Sequence, residues 1–226
     1  MSERFFKIRQ DPRTWADARG VCHGVVTMDP WQHSYIQLDS LTVRGRKIWG
    51  ASTPAWNNEV IYYNVMAYPL ATILNKFIIH HSNNSNTVSE NENKQRLKGY
   101  AALGYHFFID QSGQVFEGRP LEVMGSHAGT GLVNGPLNDP DWGAIGIVLQ
   151  GDYHHADDWF IKNKAPLKQL ETLEKLIVTL KNKYAVNQLL MHREVERGGK
   201  STVCPGDYLV PRIDALRTRL GMRGTK

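Results

Sequence analysis

Two periods of apolar residues organise most of the chain. Phe77–His80 (FIIH) and Ala144–Gln150 (AIGIVLQ) are short uncharged runs rich in branched residues, which predict buried strands. Gln188–Met191 reads as a last strand of the same kind. Tyr105–Asp110 and Gln114–Glu117 flank Gln111–Ser112–Gly113 and predict a tight hairpin. A helical period replaces the strand pattern after Pro166. Leu167, Leu170, Leu173, Leu176, Ile177 and Leu180 recur at three- and four-residue spacing, with Lys168, Glu171, Glu174, Lys175 and Lys181 between them. Pro166 suits the first turn of that helix. Val210, Ile213, Leu216 and Leu220 predict a closing helix around Pro211–Leu220. Ser89 and Glu92 have the spacing of a capping box, for a helix running to about Leu103 and ending at Gly104. Strands alternating with helices predict an α/β fold: a central mixed β-sheet flanked by helices, with the hairpin on one edge.

Residues 1–45 show no clean period and are read as an N-terminal extension of unknown role, followed by one domain over residues 46–222. Gly125, Gly129, Gly131, Gly135 and Gly143 share one long loop with Pro136 and Pro140. Loops of that length in compact domains are usually functional or disordered.

Composition narrows the class. At 226 residues and 25.6 kDa, with 41% hydrophobic and 22% charged residues, the chain can bury a full core without a disulfide scaffold, which excludes a coiled coil, a collagen-like rod and a disordered tail. A net charge of +5 is a mild positive field that favours anionic partners, but the basic residues are scattered and no nucleic-acid partner is expected. The most apolar stretch, Val60–Leu74, is broken by Asn64, Pro69 and Thr72, so no transmembrane segment is expected. The first fifteen residues lack the apolar core of a signal peptide. The two cysteines, Cys22 and Cys204, could pair, but the missing signal argues for a reducing compartment during folding.

Nine histidines leave position to decide which ones carry chemistry. His80 and His81 end one predicted strand, and alternation lets only one of them face a shared site. His192 ends another, and Cys204 follows twelve positions later on a predicted loop. Ligand crevices of open α/β sheets lie at the carboxyl ends of the strands. Two imidazoles and a thiolate suit zinc, and three protein donors leave a fourth position open for catalysis. On spacing alone, hydrogen-bonded packing roles for the histidines and a buried, inert Cys204 remain the alternative.

The ordered blocks FIIHHS, GYHFFIDQSGQVFEGRP, GSHAG, AIGIVLQGDY, LLMHREV and TVCPGDYL resemble the type-2 N-acetylmuramoyl-L-alanine amidases, the zinc amidase family that includes the peptidoglycan recognition proteins and several phage lysins. IWGASTPAW is similar to a Trp-Gly-Ala segment of the recognition-protein branch. The resemblance runs from about residue 46 to 220. It implies one zinc per chain on His80, His192 and Cys204, with Tyr105 as the catalytic tyrosine, Thr202 as the second catalytic hydroxyl and His127 on the substrate groove. Some relatives carry a glutamate in the IGIxL block as general base, where this chain has Val148, with Gln150 two residues on.

That resemblance implies an enzyme that cuts the amide between N-acetylmuramic acid and L-alanine in peptidoglycan. The alternatives are a sensor that binds muropeptide without cleaving it, an amidase that recycles wall fragments, and an interaction protein using residues 1–45. The substrate lies in the cell wall and the chain shows no export signal, so the expected routes are phage lysis, delivery by a secretion machine, or cytoplasmic recycling. Delivery implies a cognate inhibitor protein in the producer.

Overall fold

The computed structural model describes residues 5–8, 15–17, 22–23, 30–55, 60–129, 136–154, 164–195 and 201–225, with backbone alone for residues 5–30 and 136 within these ranges. Three short strands, β1 (Phe5–Ile8), β2 (Trp15–Asp17) and β3 (Cys22–His23), form a four-stranded sheet with β6 (Val60–Tyr63), in the order β3-β2-β1-β6. The main sheet has seven strands. In chain order these are β4 (Tyr35–Leu38), β5 (Leu41–Arg44), β7 (Lys76–His81), β8 (Phe107–Ile109), β9 (Val115–Glu117), β10 (Ala144–Leu149) and β11 (Gln188–Met191). Their spatial order is β11-β7-β10-β8-β9-β5-β4. β11, β7, β10 and β8 run parallel, and the β8–β9 and β4–β5 pairs are antiparallel. This is the mixed central sheet the alternating pattern predicts.

The sheet corrects two expectations, about its edge and about the N-terminal stretch. The β8–β9 hairpin is interior, because β5 pairs in parallel with β9 and the β4–β5 hairpin takes the edge. β4 and β5 lie within the stretch read as an extension, so the break in period at residue 45 is not a break in the sheet. Four-residue strands with one buried position in each show little alternation, which hides them in the sequence.

Helices α1 (Leu70–Ile73), α2 (Val88–Leu97), α3 (Leu167–Tyr184) and α4 (Val210–Arg219) complete the fold. α2 begins at Thr87, whose hydroxyl accepts from the Glu90 backbone N–H while the Glu90 carboxylate accepts from the Thr87 N–H. The capping box therefore lies two residues upstream of the Ser89/Glu92 pair. Glu92 instead forms a buried ion pair with Arg46, 2.8 Å long, and accepts from the backbone N–H groups of Ser52 and Leu103. The helix stops at Leu97, before Gly99 adopts φ +92°. Pro166 is the residue before the first turn of α3 rather than a member of it.

The two faces of the sheet have different fates. Phe77, Ile79, Ile145, Ile147, Leu149 and Leu189 pack with Leu173, Leu176, Ile177 and Leu180 of α3 and Ile213 and Leu216 of α4. At roughly 25 cal/mol per Å² of buried apolar area, this dense layer is the main source of stability. Strand alternation sends Ile78, His80, Gly146 and Val148 to the other face, where Ile78 clusters with Ala128 and Leu190, and Val148 with Leu103 and Val88 of α2. The candidate site lies there.

His106 shows how strictly that face is satisfied. Its Nε2 donates to the Val123 carbonyl (2.9 Å) and its Nδ1 accepts from the Gly146 N–H (3.0 Å), which is possible only for a neutral ring. Burial, and then nearby His127, push its pKa down to about 3. The unfolded chain takes up this proton near pH 6.5. Stability is therefore full above that pH and falls on acidification toward pH 3, by at most about 1.4 kcal/mol per pH unit for this group. Urea unfolding of His106→Gln should show a shallower loss between pH 6.5 and 4 than the wild-type protein; an unchanged slope would refute this assignment.

Candidate metal centre and active site

Parallel pairing of β11 with β7 sets Met191 opposite Ile79, so His192, directly after β11, comes beside His80 on β7. Their ring centroids are 4.4 Å apart. Cys204 arrives from the loop before α4, with its sulfur 3.7 Å from Nδ1 of His80. One donor atom from each of His80, His192 and Cys204 lies within 4.8 Å of the other two, and all three residues are buried. Two bonds of about 2.3 Å (Zn–S) and 2.05 Å (Zn–N) at a tetrahedral angle put sulfur and nitrogen roughly 3.5 Å apart. The observed sulfur–nitrogen separation and the donor set both fit a zinc site with one position left over.

The Tyr105 ring lies 5.0 Å from that of His80, so Tyr105 borders the cluster. Burial, followed by the neighbouring Cys204, holds its phenol well above the ordinary range. Tyr105 therefore keeps its proton at neutral pH and can donate a hydrogen bond. Thr202 is half-buried, and its Oγ1 accepts from the Cys204 N–H at 3.2 Å. The same contact braces the Cys204 loop and leaves the hydroxyl proton for another acceptor.

His127 lies behind this layer. Its Nδ1 is 3.0 Å from Nε2 of His80 and 3.0 Å from Oδ1 of Asp141, and its side chain is fully buried. It therefore meets His80 from behind instead of lining an open groove. Gly146 makes room for the ring: a Cβ there would stand 2.3 Å from Nε2 of His127. Burial lowers the His127 pKa. Burial of Asp141 works to raise its own pKa, but His127 and the backbone N–H groups of Gly129, Ala128 and His127 outweigh it and hold the group ionised.

His81 faces away from the site, as alternation requires, and accepts from the Tyr153 N–H. Arg119 is buried and donates to the carbonyls of Leu103 and Met124, so it orders loops. Gln150 accepts from the Gln111 N–H and donates to the carbonyls of Ser85 and Asn86. Val148 is buried, so neither position supplies a general base. His154 meets Asp207 at 2.9 Å. The Cys22 side chain, His155 and Lys200 lie outside the described residues. The sequence reading missed Asp141, whose carboxylate accepts from three backbone N–H groups twelve to fourteen residues upstream. It also missed Arg193, although that residue directly follows a predicted ligand.

The family model for N-acetylmuramoyl-L-alanine amidase matches residues 71–207, which include all six residues predicted for the site. Peptidoglycan recognition protein 1 of Rattus norvegicus is 33% identical over 114 residues, covering 49% of this chain and 52% of the relative. The endolysin of Escherichia phage T7 is 34% identical over 98 residues, covering 43% and 58%. The chain thus matches only about half the length of these curated relatives. Among solved structures, the amidase LysC of Clostridium intestinale aligns with a TM-score of 0.54 at 25% identity, covering 68% of this chain and 89% of LysC. Drosophila PGRP-LB aligns with a TM-score of 0.56 at 25% identity, covering 75% and 91%. The family model spans more than half of the sequence and the fold is shared, so the chain belongs to the N-acetylmuramoyl-L-alanine amidase family.

Proposed function

We propose that this protein is a zinc-dependent amidase that hydrolyses the amide between N-acetylmuramic acid and L-alanine in peptidoglycan. The observation that carries the reading is the buried His80–His192–Cys204 cluster with the Tyr105 ring against it. Zinc at such a site supplies hydroxide at neutral pH and polarises a carbonyl. The chain's own groups account for the rest. Tyr105 keeps its proton and donates to the oxygen on which negative charge grows as the amide carbon becomes tetrahedral. Thr202, whose Oγ1 accepts from the Cys204 N–H, offers a second hydroxyl two residues from the thiol. Donors fixed before the reaction need no reorganisation when the charge appears. The bracing of His80 by His127 holds the imidazole in one orientation while this happens.

The substrate class is supported by the matched endolysin and by a PGRP-LB variant solved in complex with tracheal cytotoxin. The site of action is the bacterial wall or fragments of it, and a cognate inhibitor would act by covering the cluster. Purified protein is incubated with peptidoglycan, and new free L-alanine N-termini are counted. The expected result is release that a chelator stops and added zinc restores. Muropeptide binding without release, unaffected by chelator, would establish the sensor reading instead.

A further inference from the structure

The turn that carries His192 and the loop that carries Cys204, twelve residues further on, belong to no common element. Side chains hold them together. His192, Arg193 and Glu194 form one 3₁₀ turn directly after β11. The Arg193 backbone N–H donates to the Cys204 carbonyl (2.9 Å). Its guanidinium reaches the same loop on both sides of the cysteine: Nη2 donates to the Val203 carbonyl and Nη1 to Oδ1 of Asp207 (2.8 Å). Asp207 is held below the usual carboxylate range, first by Arg193, and its other oxygen meets His154. From the opposite side, Glu194 accepts from the Met191 N–H (2.7 Å) and from Nη2 of Arg217 (2.6 Å), and Arg217 also donates to the Leu189 carbonyl. The turn is thus anchored to β11 and α4 by Glu194 and Arg217, and the Cys204 loop is anchored to the turn by Arg193.

We propose that Arg193 is a positioning residue of the metal centre: its planar fork fixes the separation of the His192 and Cys204 donors before an ion arrives. The inference rests on the zinc site proposed above. A purely structural role predicts something different. The Arg193 side chain is 26% exposed and that of Asp207 49% exposed, and ion pairs at such positions contribute little to global stability. Donor separation is another matter, because partners that orient ligands typically change metal affinity by about 10–100-fold.

The test compares full-length wild-type protein with R193Q, R193K and D207N. The readouts are zinc affinity by competition with a chromogenic chelator, the Co²⁺ absorption spectrum, and melting of the metal-free form. R193Q should bind zinc about 10–100-fold more weakly and show an altered Co²⁺ spectrum, with metal-free melting close to wild type. R193K keeps the charge but loses the two-pronged geometry, and should not restore affinity. D207N should weaken binding less, and its effect should not add to that of R193Q, because both act on one clamp. Wild-type affinity and spectrum in R193Q would overturn the proposal. If metal-free R193Q fails to fold, D207N decides: weakened binding supports the clamp and unchanged binding overturns it. A wild-type chain that holds no zinc overturns the functional reading as well, whereas a zinc-loaded wild type with an unaffected R193Q overturns this inference alone.

Discussion

Cys204→Ser is expected to lose the ion and the activity together while keeping the fold. Cys204 would supply the sulfur of the proposed three-donor site, and its sulfur lies 3.7 Å from Nδ1 of His80. A serine hydroxyl fits the same space but stays protonated at neutral pH and is a poor zinc ligand, which leaves two imidazoles to hold the metal. Elemental analysis should find about one zinc per wild-type chain and very little in the variant. Melting gives an independent check. An ion that binds only the folded state stabilises it by about 2.7 kcal/mol at one hundred times its dissociation constant. Zinc should therefore raise the melting temperature of the wild type and leave that of Cys204→Ser unchanged. Equal zinc content in the two proteins would remove Cys204 from the site.

Tyr105→Phe is expected to separate binding from turnover. The substitution removes one oxygen from a ring that keeps its packing against His80 and, nearly parallel at 5.9 Å, against His127. Zinc content and stability should hold. Losing a single donor to a developing oxyanion typically costs about 10²–10³ in rate, the range expected for kcat on peptidoglycan with KM little changed. The raised pKa of Tyr105 gives the prediction a pH signature: the phenol stays protonated throughout the neutral range, so no alkaline limb of the wild-type profile in that range should come from it. A variant as fast as wild type would exclude Tyr105 from the chemistry. A variant that also lost zinc would show that its role is structural.

Local pattern was enough for the elements that bury a whole face or stripe. β7, β10 and β11 were legible as short apolar runs, and α3 as a long helical period, because burial on the α3 face leaves its mark on neighbouring residues. Elements held by partners distant in sequence left no such mark. β4 and β5 owe their place to β9, about seventy residues away, and Glu92 looked like a capping residue until Arg46 and two backbone N–H groups claimed its carboxylate. The same division runs through the site. The residue types and order of His80, Tyr105, Thr202, His192 and Cys204 were visible in the chain, as was the alternation that turns His81 away.

The sequence by itself determined β7, β10, β11 and the β8–β9 hairpin, the main helix and the set of candidate donors, because each depends on neighbours within a few residues or on the chemistry of one side chain. Only the tertiary structure decided that the donors meet. Parallel register between β7 and β11 places two imidazoles side by side. Gly146 on β10 opens the space that His127 fills behind one of them, and Arg193 draws the thiol loop toward the other. Strand pairing, ring packing and a two-pronged hydrogen bond all act across chain separations that no local pattern records.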